Sequence, residues 1–333
     1  MPRRRRVDLF YHGYELPALD RPFGRVQSNL HLLARTAYRG LRRRQPYTGF
    51  YTAFRNLKRA LEQAGLDVHV NDFAHARRNP TQPIGISGHA EVYKHVALSN
   101  PAVFGPGYVP PPETIDAVAK GTNIRIFTQP SEWPCRILRS KLGDRVQPMF
   151  APIDLSAWPD LSAGSKTHDV IIYDKIHWHR DEMVPRILQR LQRHLAARNL
   201  SHVMLRYGQH HLSDYRAALK GARALVFLSS HETQGLAYQE ALASGLPIFA
   251  WDEGRLVDPR EVRTAPADLV VSSVPYFDER CGMTFMETGL EDRFDSFWEA
   301  RDSYAPRAFV AETLGPERAA GIYLDLLDRA ATA

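Results

Sequence analysis

The residues with the plainest chemical promise in this chain lie between Ser229 and Pro247. Glu232 and Glu240 flank Thr233-Gln234-Gly235-Leu236, an apolar run at Ala224–Leu228 comes before them, and Gly245-Leu246-Pro247 closes the segment. The order reads as strand, loop, helix and strand. Amides left unpaired at such a helix start, Thr233 to Leu236, combine with the helix dipole to suit an anionic diphosphate, and Gly235 admits a close backbone approach. At about 1.5 Å of rise per residue the two carboxylates stand roughly 12 Å apart, Glu232 at the helix mouth and Glu240 two turns inside. That separation can grip both ends of an extended anionic ligand. The plainer alternative is that Glu232 caps the helix and Glu240 lies on a solvated face.

The elements that must position these side chains follow from the alternation of short apolar runs with helical patterns, the signature of βαβ units around parallel sheets. In the second half, strands are expected at Asp169–Tyr173, His202–Arg206, Ala224–Leu228, Pro247–Ala250 and Leu269–Ser272, with helices near 181–198, 213–220 and 234–244. In the first half, strands are expected at Val7–His12, Asp67–Asn71, Ile84–Ser87, Ala102–Phe104, Asn123–Phe127 and Val146–Phe150. A helix is expected over Thr52–Ala64, and a loop around Gly105, Gly107 and Pro110–Pro112. A length of 333 residues favours two α/β domains. The divisions are 1–150 with a basic insertion at 14–46, a Pro/Ser/Gly-rich linker at 151–167, a domain at 168–315, and a last helix at 316–333 able to pack back on the first domain.

The stretch from Ser229 to Pro247 resembles the retaining GT-B glycosyltransferases, specifically the large family four, whose donor site has two glutamates separated by seven residues. Gly235-Leu236 after the first glutamate, Glu240-Ala241-Leu242-Ala243 at the second and Gly245-x-Pro247 carry the likeness, which is strong from about Asp169 to Gly254. It implies two Rossmann-like domains with a cleft between them. Glu232 would hold sugar hydroxyls and Glu240 would accept from ribose hydroxyls. The family's basic pair after the first strand of this domain, an Arg followed by a Lys, survives with types exchanged as Lys175 and Arg180, which would stabilise charge on the leaving phosphate. Thr48-Gly49-Phe50 resembles the glycine turn facing the donor phosphates. Many relatives carry a histidine over the sugar, and Val103–Tyr108 lacks it; His12 and His89 at strand ends are substitutes. The implied reaction moves a sugar from a nucleoside diphosphate sugar to an acceptor hydroxyl with retention and without metal. A nucleotide-sugar epimerase on the same fold is the enzymatic rival.

Composition narrows the field. Hydrophobic residues at 44% and charged residues at 24% describe a soluble globular chain. Cys135 and Cys281 form no ligand spacing, and His177-x-His179 and His210-His211 lack partners, so no metal or cofactor is expected and a reducing, cytoplasmic setting is. Residues 1–60 carry 14 Lys and Arg against 3 Asp and Glu, a net of +11 within a total of +6, so residues 61–333 are at −5. An acidic body argues against nucleic acid as a partner, although a nucleic-acid or membrane-binding protein on a Rossmann scaffold is the rival of a different class. Within the insertion, Val26, Leu30, Leu33, Ala37 and Leu41 share a helix face among Arg25, Arg35, Arg39 and Arg42–Arg44. The first expectation is that this helix packs on its own domain with a solvated basic face. The alternative is peripheral contact with an anionic membrane, presenting the domain to a lipid-linked acceptor of cell-envelope glycan synthesis.

Overall fold

The computed structural model of the protein describes residues 4–42, 47–89 and 91–332; Arg3, Arg43 and Arg44 of the basic segments lie outside them. Contacts divide the chain into two units. One extends to Pro152 and resumes at Leu314; the other is Ile153–Thr313.

The first unit contains β1 (Arg6–His12), α1 (Gly24–Leu41), α2 (Gly49–Gln63), β2 (Asp67–Val70), α3 (Phe73–Arg78), β3 (Ile84–Gly88), α4 (Val92–His95), β4 (Ala102–Gly107), α5 (Pro112–Gly121), β5 (Ile124–Gln129), α6 (Glu132–Leu142) and β6 (Val146–Pro148). All its strand pairs are parallel, in the order β2-β1-β3-β4-β5-β6, with Leu9 opposite Val70 on one side and Gly85 on the other. Helices cover both faces, so the strands are near-continuous apolar runs. Phe10, Ile86, Phe104 and Phe127 meet Ile115 and Leu138 in one core.

The second unit contains β7 (Val170–Asp174), α7 (Arg180–Met183), α8 (Gln189–Ala197), β8 (His202–Arg206), α9 (Leu212–Gly221), β9 (Ala224–Leu228), α10 (Leu236–Ala243), β10 (Ile248–Trp251), α11 (Pro259–Val262), β11 (Gly282–Phe285), α12 (Leu290–Ala300) and α13 (Pro306–Thr313). Its parallel order is β11-β10-β9-β7-β8. A π turn at Val184–Leu188 joins α7 to α8, because Pro185 has no amide to donate inside the helix. The chain then returns to the first unit, where α14 (Pro316–Thr332) packs on α2 and β4 and buries Tyr323.

In both sheets the chain reverses direction beside the first strand: β1 lies between β2 and β3, and β7 between β8 and β9. The C-terminal ends at such switch points are where open α/β sheets bind ligands.

Three expectations need correction. Leu269–Ser272 is not a strand. The sheet edge beside β10 is taken by β11, with Ile248 opposite Gly282, while Val271 donates instead to the Gly254 carbonyl across the strand ends. Pro112 does not extend a loop but occupies the first position of α5, where its missing amide costs nothing. The insertion helix α1 does not pack by its apolar stripe: Gly24 and Ser28 on the opposite side are its buried residues, and Leu30 and Leu33 are 60% and 66% exposed.

Candidate active site

The second switch point, between β7 and β9, gathers most of the expected residues. Lys175 follows β7 directly, and its amide is fixed by the Leu228 carbonyl at the end of β9. Its Nζ lies 2.7 Å from both carboxylate oxygens of Glu232 and 4.6 Å from the centre of the Tyr207 ring. Glu232 is only 8% exposed, so this ion pair is one that water screens weakly. Ser229 Oγ donates to Glu232 Oε1 at 2.8 Å, and the Glu232 amide donates to the Ser272 carbonyl at 2.9 Å. The loop that failed to become a strand therefore holds Glu232 from behind.

Gly235 adopts φ +80, and a Cβ there would stand 2.2 Å from the Tyr238 ring, so position and side-chain space both demand glycine. This left-handed residue also moves the helix start. α10 begins at Leu236, not near Thr233, because a left-handed residue cannot lie inside a right-handed helix. The amides without an intrahelical acceptor are those of the turn beginning at Leu236. Thr233 and Gln234 lie in the preceding bend, where Gln234 Nε2 donates to Gln239 Oε1 at 2.9 Å and Gln239 Nε2 donates to the Gln234 carbonyl at 3.1 Å. Gln234 thus locks the loop.

Glu240 consequently sits little more than one turn into α10. Its carboxylate accepts no hydrogen bond among the described residues and keeps part of its surface open, yet surrounding protein pushes its pKa up to about 8, with Arg216 opposing the shift. Burial raises the phenol of Tyr173, at the end of β7, with smaller contributions in the same direction from Tyr207, Glu240 and Glu232. His210 Nε2 is 3.3 Å from the Tyr173 hydroxyl.

Arg180 is placed differently from Lys175. Its guanidinium forms a two-pronged pair with Asp174, at 2.9 and 2.6 Å, and donates to the Ile176 carbonyl. Asp174 is buried, and it offsets a cation standing unfavourably at the N-terminus of α7. Arg180 is therefore tied to the strand end. His177 is held below its usual pKa by burial and by neighbouring Lys175. Among the described residues no three His, Cys, Asp or Glu side chains form a metal-ligand set.

No family model and no curated protein matches the chain. Solved structures do. The chain overlies sucrose-phosphate synthase from Thermosynechococcus elongatus at 12% identity and TM-score 0.54, covering 98% of this chain and 99% of that one. It overlies a glycosyltransferase from Rickettsia africae at 9% identity and TM-score 0.53, covering 98% of each. The chain has the GT-B fold. Another match, TarM, is only a partial counterpart: this chain spans 57% of its length, with 77% of the present chain covered, at 11% identity and TM-score 0.48.

Two further GT-B expectations fall in the first unit. Gly49 opens α2 after Thr48, whose side chain accepts from the Tyr51 amide at 3.3 Å; among the described residues nothing beyond its own stretch of chain stands within 4 Å of a Cβ built on Gly49. His12 and His89 meet at the first switch point, where the His89 amide donates to the His12 carbonyl. His12 Nδ1 accepts from the Ala18 amide, which puts any ring proton of the neutral form on Nε2, and burial lowers its pKa to about 4. Tyr14, Phe50 and Tyr108 surround His89.

The sequence offered no signal for Tyr207, Tyr173 or the Ser272 carbonyl as parts of the second-unit cluster. For Ser229, a hydroxyl directly after a buried strand was the cue.

Proposed function

We propose that the protein transfers a sugar from a nucleoside diphosphate sugar to an acceptor hydroxyl, with retention, without metal, in the manner of the family-four enzymes its sequence resembles. The observation that carries this reading is the meeting of Lys175 with Glu232, separated by 57 residues in sequence, beside the start of α10 at the β7/β9 switch point. Support comes also from Glu240, a largely desolvated carboxylate with unfilled acceptor capacity, and from the glycosyltransferase named among the structures sharing the fold.

In this reading the diphosphate lies against the Leu236 turn and Lys175, and the ribose hydroxyls donate to Glu240. Glu232 exchanges its lysine for the sugar hydroxyls. The bond from the anomeric carbon to the phosphate oxygen breaks with its electron pair going to phosphate, where fixed cations and amides stabilise it. The acceptor oxygen bonds the anomeric carbon on the same face, and its proton passes to the departing phosphate. No protein nucleophile is needed. Arg180 contributes field from its place on Asp174.

The test is product analysis with a panel of nucleoside diphosphate sugars and hydroxyl acceptors in excess chelator. Proton NMR of the anomeric centre should show the donor's configuration retained in a glycoside. Inverted product, or restoration of activity only by added magnesium or manganese, contradicts the reading. Release of an altered free sugar from donor alone would instead indicate the epimerase.

A further inference from the structure

The insertion helix α1 stands with its faces reversed relative to an ordinary surface helix. Such helices bury their apolar stripe. Here the buried side holds Gly24 and Ser28, the Ser28 hydroxyl donating to the Pro17 carbonyl at 2.6 Å, and a Cβ on Gly24 would collide with the Leu19 carbonyl at 2.0 Å. Close packing of this small, polar side fixes the opposite side outward. Val26, Leu30, Leu33, Ala37 and Leu41 recur at helical spacing along it, and all are exposed. Phe23 extends the stripe at its N-terminal end, 80% exposed and held at φ +59, a conformation that bulky residues adopt only where the surroundings impose it.

Beside the stripe runs a groove of about 390 Å³ between α1 and α2, lined by Arg25, Arg55, Lys58 and Arg59 together with Glu62. Glu62 pairs with Lys58; Asp72, outside the groove, lies 3.6 Å from Arg25 but is held more closely by Arg6 at 2.8 Å, and Arg59 makes no ion pair among the described residues. The four cations and one acid that line the groove leave three net positive charges next to an outward apolar row. A second copy of the chain would bring two such basic grooves together. An anionic surface complements them.

We propose that the first unit docks on an anionic lipid membrane through α1, with its apolar stripe in the lipid interface and the α1–α2 groove on headgroup phosphates. Among the described residues no helix is long and apolar enough to cross a membrane, so this contact is peripheral. It does not depend on the transferase reading, and its test uses no activity.

The full chain is sedimented with vesicles of equal parts phosphatidylglycerol and phosphatidylcholine, and with phosphatidylcholine alone. Binding is expected to the anionic vesicles at low salt and to weaken at high salt. A cation near such a surface is worth about 1 kcal/mol, or roughly fivefold in partitioning, so Arg25→Glu with Arg59→Glu should weaken binding at least about 25-fold. Leu30→Asp with Leu33→Asp should abolish it. In a separate variant, Leu33→Trp, the added indole should shift its emission to the blue when anionic vesicles are supplied. No binding at low salt, equal binding to both vesicle types, or a Leu33→Trp emission spectrum that anionic vesicles leave unchanged overturns the proposal. So does a dimer in sedimentation velocity that the double aspartate variant converts to monomer.

Discussion

Replacing Glu240 by glutamine should make the protein more stable, and only above a definable pH. Burial raises the Glu240 pKa from 4.5 to about 8. Between those values the folded chain holds a proton that the unfolded chain has released, so stability falls as pH rises through the window. The fall proceeds at about 1.4 kcal/mol per unit and levels off above pH 8, for a ceiling of about 5 kcal/mol. Partial solvent access to the carboxylate brings the expectation to about 2–5 kcal/mol. Glu240→Gln keeps the shape and removes the titration. Other groups that titrate here, such as His12, are common to both proteins and cancel in the difference. Urea unfolding from pH 4 to 9, followed by tryptophan fluorescence, is the assay; Trp158, Trp178, Trp251 and Trp298 lie in the second unit and only Trp133 in the first, so the signal reports mainly the unit holding Glu240. The two curves should coincide near pH 4 and diverge toward pH 8 with the variant above. Parallel curves throughout would refute the desolvated-carboxylate argument.

Gly235→Ala should cost about 2–4 kcal/mol, since it combines a left-handed backbone with a methyl 2.2 Å from the Tyr238 ring; unchanged urea midpoint and nucleotide affinity would show that the α10 start is not constrained as described. Lys175→Met leaves Glu232 with Ser229 but without its cation, for a loss of about 1–3 kcal/mol in stability and a lowered turnover. Wild-type turnover in that variant would remove Lys175 from the mechanism. Activity of metal-stripped protein should persist in excess chelator, and an absolute need for added divalent cation would contradict the charge arrangement around Lys175.

The strands were legible because a sheet covered on both faces writes itself as apolar runs, as in Ala224–Leu228. β11 was missed because Gly282-Met283-Thr284-Phe285 is short and mixed, and Leu269–Ser272 matched the pattern better while lying outside the sheet. α5 was hidden by Pro112, which reads as a breaker yet is tolerated at a helix start. Local spacing put Glu240 two turns inside the helix, but the left-handed Gly235 delays the start of α10 to Leu236 and leaves Glu240 little more than one turn in. The pairing of Lys175 with Glu232 was not readable, since strand order alone brings β7 beside β9. Nor was the capture of Arg180 by Asp174, which depends on where a side chain turns. The apolar stripe of α1 was visible as a periodicity, but its direction was set by tight packing at Gly24 and Ser28, which periodicity does not encode.

The central claim is that the β7/β9 switch point binds a nucleoside diphosphate sugar with Glu240 on the ribose and Glu232 on the sugar. Calorimetric titration of nucleoside diphosphates tests it most directly, using the wild type, Glu240→Ala and Glu232→Ala. At least one diphosphate should bind the wild type, Glu240→Ala should weaken it about 10- to 100-fold through two lost hydrogen bonds from the ribose hydroxyls, and Glu232→Ala should stay within a few-fold of wild type. Full affinity in all three proteins, or no binding of any nucleoside diphosphate to the wild type, would contradict the account.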